Sequence, residues 1–165
     1  MGRFIAMVMG ILGALGGSQA PGFTLQYMQN LSGRIDELRP VVEKFDADIA
    51  AFGYSRDQAL LECADAERLL KALCATYETT VRRYEELTAH FATLTDADDL
   101  RRPLVLVRNY KRDIAENVMT QFQPAVPATT DGVIYAGGGF AALWGGLTFV
   151  FGLLGAMFGM NRRYA

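Results

Sequence analysis

The stretch GVIYAGGGFAALWGGLTFVFGLLGAMFGM, residues 132–160, contains no charged side chain. As an α-helix rising about 1.5 Å per residue, it is long enough to cross a bilayer core of roughly 30 Å with some tilt. Tyr135 near one end and Tyr164 beyond the other suit the aromatic belts of the two membrane–water interfaces. A buried core helix would need far more apolar chain around it than 165 residues supply. The stretch therefore predicts a carboxyl-terminal transmembrane helix over residues 132–160.

A second apolar run, residues 4–17, lies near the amino terminus and has two interpretations. The triplet SQA at 18–20 resembles the small-x-small site where a signal peptide is cut. Extended past Pro21 to residue 25, the run becomes long enough to span a membrane. Pro21 would also turn the cut bond into a tertiary amide, which is a poor protease substrate. We favour a retained signal anchor over residues 1–25, with cleavage as the alternative.

The charged residues are confined to the middle of the chain. All 18 Asp and Glu residues, and all but three of the 16 Lys and Arg residues, lie within residues 26–131. A polar middle between two uncharged apolar ends is typical of a two-span membrane protein. The three remaining basic residues are Arg3, which precedes the first apolar run, and Arg162 and Arg163, which follow the second. By the positive-inside rule they predict cytoplasmic termini, a short cytoplasmic tail at 161–165 and a periplasmic middle in a bacterium.

Small residues recur at intervals of three and four along both apolar runs. The N-terminal row consists of Ala6, Gly10, Gly13, Gly17 and Ala20, and the C-terminal row consists of Gly138, Ala141, Gly145, Thr148, Gly152, Gly155 and Gly159. Lipid provides no hydrophobic drive for helix association, so membrane helices commonly approach each other along small residues. These residues form the predicted helix-packing interface, and the spans are expected to pack on each other or on copies of themselves. The alternative is that glycine is simply frequent in membrane helices.

The polar middle has helical periodicity throughout. One apolar row consists of Met28, Leu31, Ile35, Leu38, Val42, Phe45, Ile49 and Phe52, and another consists of Leu70, Leu73, Tyr77, Val81, Tyr84, Leu87, Phe91 and Leu94. Both rows follow the spacing of a coiled-coil seam. A capping box at Ser55 and Gln58 and a cap at Asp65 would divide the returning segment. The predicted fold is an all-α membrane protein in which two transmembrane helices flank an extracytoplasmic antiparallel helical hairpin or bundle, residues 26–131.

Two shorter helices and a linker are predicted to lead back to the membrane. The segments RRPLVLVRNY at 101–110 and KRDIAENVMTQF at 111–122 are expected to be helical. Pro124 and Pro127 predict an extended linker, since the residue before a proline avoids the helical region. Thr130 or Asp131 is expected to cap the final span.

Few residues are candidates for chemistry. Cys63 and Cys74 would lie about 16 Å apart on one continuous helix, beyond bridging distance, so free buried thiols are expected unless a helix break brings them together. His90 has no second ligand at a metal-binding spacing and is expected to be solvated. Trp144 lies inside the span, and either a neighbouring helix or lipid is its expected contact.

No recognisable catalytic constellation is present in the sequence. It contains no Ser/His/Asp set, no phosphate-binding glycine loop and no basic patch free of acidic neighbours. Neither span carries an ionisable residue of the kind that proton and ion pathways normally need. We therefore predict a protein that is not an enzyme, with no catalytic, cofactor-binding or metal site, no cofactor and no nucleic-acid partner.

Three segments together resemble a known family: LQYMQNLSGRIDELRPVVEKFDAD, RPLVLVRNY and FQPAVPATTDGVIYAGGGF. They are similar to an uncharacterised group of proteobacterial two-span membrane proteins, the domain-of-unknown-function family 2937. The resemblance covers nearly the whole chain and implies an inner-membrane location in a Gram-negative bacterium. It implies no activity and no site residues.

The functional expectation is an inner-membrane accessory or scaffold subunit. Its partners would be the lipid bilayer together with a protein of a membrane complex, further copies of the chain, or both. The alternative is a membrane-anchored periplasmic sensor or ligand-binding module. That alternative is weakened because the predicted cytoplasmic ends are too short to carry an effector.

Overall fold

The computed structural model describes residues 2–124 and 129–159, and over these residues it is entirely helical. The seven helices are α1 (Gly2–Ser18), α2 (Ala20–Ala51), α3 (Arg56–Ala64), α4 (Arg68–Thr95), α5 (Arg102–Asn109), α6 (Arg112–Gln121) and α7 (Thr130–Gly159). Two helical stretches, residues 2–51 and 130–157, are long and apolar enough to cross a membrane. The prediction of an all-helical chain with two candidate spans is confirmed.

The first apolar run leads almost without interruption into α2. Pro21 lies at the first turn of α2, where a missing N–H costs nothing because that donor has no intrahelical acceptor. The hydroxyl of Ser18 donates to the carbonyl of Leu15 at 2.7 Å, and the hydroxyl of Thr24 donates to the carbonyl of Ala20 at 2.8 Å. The small polar side chains around the junction are thus satisfied within the helices themselves.

Helices α2 and α4 pack side by side in opposite directions. Tyr27 near the start of α2 meets His90 near the end of α4, whereas Phe45 further along α2 stacks on Tyr77 nearer the start of α4. Helices α5 and α6 cover the end of this pair at which Tyr27 meets His90, here called the near end, and they complete one hydrophobic core. Its buried members are Tyr27, Leu31, Ile35, Leu87, Leu94, Leu106, Ile114 and Val118.

The far ends of the two predicted apolar rows are not buried. Phe52 is 81% exposed, and Leu70 and Leu73 are 55% and 60% exposed. The start of α4 is tied to α3 rather than covered by α2, so the expected seam does not continue to the end of the pair. Only the part of each row that faces α5, α6 or the middle of the opposite helix is buried.

The turn between α2 and α3 matches the sequence signals. Gly53 adopts φ +82°, a left-handed conformation that suits glycine and ends α2. The Ser55 side chain accepts from the backbone N–H of Gln58, and the Gln58 side chain accepts from the Ser55 N–H, so the predicted capping box is confirmed. Asp65, by contrast, lies after the last residue of α3, and Glu67 precedes α4 without a side-chain cap.

The expectation of free thiols at Cys63 and Cys74 is wrong, because the two residues form a disulfide. The break between α3 and α4 folds the chain back. The two Cα atoms therefore lie 5.9 Å apart, within bridging distance, rather than the about 16 Å expected on one continuous helix. The disulfide joins the end of α3 to the second turn of α4. It therefore closes the far end of the polar domain.

The entry into α7 is capped one residue earlier than expected. The Thr129 hydroxyl accepts from the backbone N–H of Gly132 at 3.2 Å, so neither Thr130 nor Asp131 supplies the cap. Pro124 follows α6 without helical structure, and Pro127 lies outside the described residues. The predicted tail at 161–165 also lies outside them.

Candidate helix-association interface

Helices α1 and α7 make their closest contact through glycines. A side-chain carbon added at Gly13 would collide with the carbonyl oxygen of Gly139, and one added at Gly139 would collide with the carbonyl oxygen of Gly13. Gly17 has the same relation to the carbonyl oxygen of Tyr135. Because these obstructions are backbone atoms, only glycine allows the two helices to approach this closely.

Further along the pair, aromatic side chains of α7 cover the N-terminal row. Added carbon at Gly10 would lie 2.8 Å from the Phe140 ring and 2.9 Å from the Cβ of Trp144. Ala6 is fully buried. Trp144 thus contacts the neighbouring helix, one of its two expected environments, although 43% of its surface stays exposed. Ala6, Gly10, Gly13 and Gly17 are all brought against α7, whereas Ala20 begins α2.

The C-terminal row does not take part in this pairing. Gly138, Gly145, Gly152 and Gly155 each have open space where a side chain would begin. Ala141 and Thr148 are exposed, and the Thr148 hydroxyl donates to the Trp144 carbonyl at 2.6 Å within α7. Gly159 is the last residue of α7. At about 100° per residue, the row is centred roughly 150° around α7 from the residues that meet α1.

The residue that sequence analysis missed is Gly139. It lies one position after Gly138 in the GGG triplet at 137–139, and the three-four spacing alone selected Gly138. Gly139 lies four residues after Tyr135 and four before Leu143, so the three share one face of α7. That face meets α1, because a carbon added at Gly17 would collide with Tyr135 and one added at Gly13 would lie 2.8 Å from Leu143. Helix α7 therefore has two small-residue faces, and the chain itself uses one of them.

The expectation that His90 is solvated is wrong. His90 is 8% exposed, and its Nε2 lies 3.0 Å from the hydroxyl of the fully buried Tyr27. The same hydroxyl accepts from the backbone N–H of Lys111 at 2.8 Å. The tautomer of His90 sets whether its Nε2 accepts from this hydroxyl or donates to it. A hydroxyl between a ring nitrogen and a backbone amide links α2, α4 and the start of α6 in one buried polar centre.

Burial disfavours the charged form of this histidine. Desolvation lowers the pKa of His90, and the nearby charge of Lys111 lowers it further. Desolvation likewise raises the pKa of Tyr27. In both cases desolvation favours the neutral form of the group.

Stability is therefore expected to depend on pH through His90. The unfolded chain has an ordinary histidine pKa of about 6.5, above that of the folded state. The stabilisation that comes from keeping His90 neutral in the fold is present in full above a pH of about 6.5. It is lost as the pH falls from that value through the lower pKa of His90 in the folded state. Denaturant unfolding of the detergent-solubilised protein from about pH 8 to about pH 5 would measure it. His90→Gln should have a flatter profile, and identical profiles for the two proteins would contradict the assignment.

Two ionic clusters hold the surface of the polar domain together. Arg34 donates to the carboxylate of Asp113 at 2.5 Å, and Arg83 lies 3.5 Å from the same carboxylate. Nearer the far end, Arg56 pairs with Asp46 and lowers the pKa of that carboxyl. Among residues 2–124 and 129–159, no group of three or more His, Cys, Asp and Glu side chains is placed to hold a metal ion.

Comparison with known proteins identifies the family. The model of a family of proteins of unknown function, DUF2937, matches residues 1–160. The chain belongs to this family, and the resemblance predicted from its sequence is confirmed. No curated protein and no solved structure matches the chain.

Proposed function

We propose that this DUF2937 protein is a non-enzymatic accessory or scaffold subunit of the inner membrane, associating with a second membrane helix through the C-terminal row of α7. The observation that carries the proposal is the unequal use of the two rows. Gly10, Gly13 and Gly17 of the N-terminal row are occupied by α7 of the same chain. Gly145, Gly152 and Gly155 of the C-terminal row, in contrast, have open space on the side of α7 away from α1. The contact of Gly13 with Gly139 supports the idea that this chain packs helices by close backbone approach.

The association is testable with one substitution and a neighbouring control. Gly145→Leu should abolish the oligomer or the partner complex, because a bulky side chain on the row prevents close backbone approach. Gly146→Leu is the control, since Gly146 also has open space around it but lies on another face of α7. Native mass and chemical crosslinking in mild detergent would measure the outcome. Survival of the complex in Gly145→Leu would exclude the row as the interface.

We further propose cytoplasmic termini and a periplasmic polar domain. The disulfide between Cys63 and Cys74 supports this orientation, because disulfides persist in the periplasm and are rare in the cytoplasm. Arg3 before α1, together with Arg162 and Arg163 after α7, favours the same orientation.

Thiol labelling in intact cells tests the orientation. The two cysteines are expected to resist alkylation by a maleimide until a reductant is added, because both are held in the disulfide. After reduction, a membrane-impermeant maleimide should label them from outside the inner membrane in spheroplasts. Labelling without reductant, or labelling only after the membrane is permeabilised, would contradict the proposed orientation.

A sensor or ligand-binding module is the second candidate. Its support is an open groove of about 740 Å³ between α2 and α4, lined in part by Arg34, Glu37, Thr79 and Arg83. This groove is weaker support for a function than the open C-terminal row, because the guanidinium of Arg34 already donates hydrogen bonds to Asp113 and Asn30. A small anionic ligand that stabilises the protein, but not an Arg83→Ala variant, would favour this function.

A further inference from the structure

An apolar groove lies where the two candidate spans meet the polar domain. It has a volume of about 460 Å³, and its walls come from α1, α7, α5 and the turn before α5. Gly138 and Ala142 of α7 form one wall, and Leu100 and Leu104 form the opposite one. Ligand sites commonly have volumes of roughly 300–1,000 Å³, so the groove is large enough to hold part of a small molecule.

The lining offers no unsatisfied polar side chain to a ligand. Besides Leu, Ile, Gly and Ala, it contains a single tyrosine, Tyr135. The Tyr135 hydroxyl donates to the carbonyl of Leu100 at 2.5 Å and is therefore occupied. A polar ligand would lose its water without gaining a partner here. The groove suits a purely apolar group.

The position of the groove along α7 indicates which kind of apolar group it would bind. Tyr135 lies near the start of α7, where a tyrosine suits the membrane–water interface. Gly138 and Ala142 lie one and two turns further into the span, whereas Leu100 and Leu104 belong to the polar domain. A groove that begins at the interface and continues into the span opens at the depth of lipid acyl chains.

Two exposed features beside the groove agree with contact to lipid. Leu104 and Val107 are 56% and 72% exposed and lie on neighbouring turns of α5, so water would surround them unless the membrane covers them. Arg101 is exposed and has no ion pair among the residues that the structure describes. Arg101 directly follows the groove residue Leu100 in the chain, and an arginine guanidinium is well suited to bind a phosphate.

We propose that this groove binds an acyl chain of a phospholipid from the adjacent leaflet, with Arg101 at the phosphate. The inference rests on the proposed membrane placement of α1 and α7. The bound lipid would fill the gap between the spans and α5. It would thereby couple the polar domain to the bilayer surface.

The test uses the full chain in nanodiscs containing a phospholipid with a photoactivatable diazirine on its acyl chain. Adducts mapped by proteolysis and mass spectrometry should concentrate on residues 100–104 and 134–142. Ala142→Trp, which fills the groove, should lose most of these adducts. Ala141→Trp lies on the C-terminal row and should keep them while losing the oligomer or partner complex, so the two proposals are tested separately. Arg101→Ala should reduce the adducts several-fold.

Three results would overturn the proposal. Adducts spread evenly along both spans would show that the groove does not select a lipid, and undiminished adducts in Ala142→Trp would show that lipid binds elsewhere. Protein–protein crosslinks through Leu104 would assign the groove to a second chain. Carbonate extraction of native membranes separates the two proposals further. Release of the chain would refute membrane placement itself, whereas retention without adducts would refute only the groove.

Discussion

Gly13→Leu is expected to separate α1 from α7 and to lower the stability of the helix pair by about 3 kcal/mol, the upper end of the usual cost of overpacking. The cost is high because the first atom of the new side chain would collide with the carbonyl oxygen of Gly139, and a backbone atom cannot rotate away. The Leu143 side chain could yield, but the Gly139 carbonyl could not.

The single tryptophan of the chain, Trp144, reports on this change. It lies against Gly10 on the same contact face and stacks on Phe140, so separation of the helices should shift its fluorescence emission. Thermal unfolding in mild detergent should show a lower midpoint for the variant. Gly16→Leu is the matched control, because nothing lies within 4 Å of the added carbon at Gly16. Equal effects from the two substitutions would contradict the proposed contact.

Tyr27→Phe is expected to destabilise the polar domain by about 2–6 kcal/mol, because each of two groups left without a partner costs roughly 1–3 kcal/mol when it is buried. The two groups are the Nε2 of His90 and the backbone N–H of Lys111, both of which depend on the Tyr27 hydroxyl. The aromatic ring is retained, so little packing is lost. The decrease in the free energy of unfolding would therefore measure the hydrogen bonds of the Tyr27 hydroxyl.

Denaturant unfolding of the full chain in detergent would measure the effect. Tyr110→Phe, at a tyrosine that is 55% exposed, should change the free energy of unfolding by less than about 0.5 kcal/mol. The double variant Tyr27→Phe/His90→Leu should recover part of the loss, since one of the two orphaned groups is then absent. An unchanged free energy of unfolding in Tyr27→Phe would refute the polar centre.

The all-helical fold and the two candidate spans could be predicted because they depend on local signals. The uncharged stretch 132–160, the three-four periodicity of the polar middle and the capping box at Ser55 need no knowledge of distant contacts. The family resemblance came from the same stretches. Each of these features depends on residues that lie close together in the sequence.

What could not be predicted depends on how separate helices meet. The partner of His90 is Tyr27, which is 63 residues away, and no spacing rule connects them. The disulfide required the angle at the break between α3 and α4, which a sequence does not give. The choice of Gly139 over Gly138 required the rotation of α7 about its axis. In all three cases the decisive quantity is a relative orientation of helices.

We propose that α7 pairs with α1 on one face and with a second membrane helix on the other. The most direct test is a cysteine scan along residues 141–152 of α7 in native membranes, in a Cys63→Ser/Cys74→Ser background. Crosslinks to another chain should peak at Ala141→Cys, Gly145→Cys, Thr148→Cys and Gly152→Cys. They should reach a minimum at Leu143→Cys and Val150→Cys, on the α1 side. Peaks on the α1 side, or no periodicity, would contradict the account.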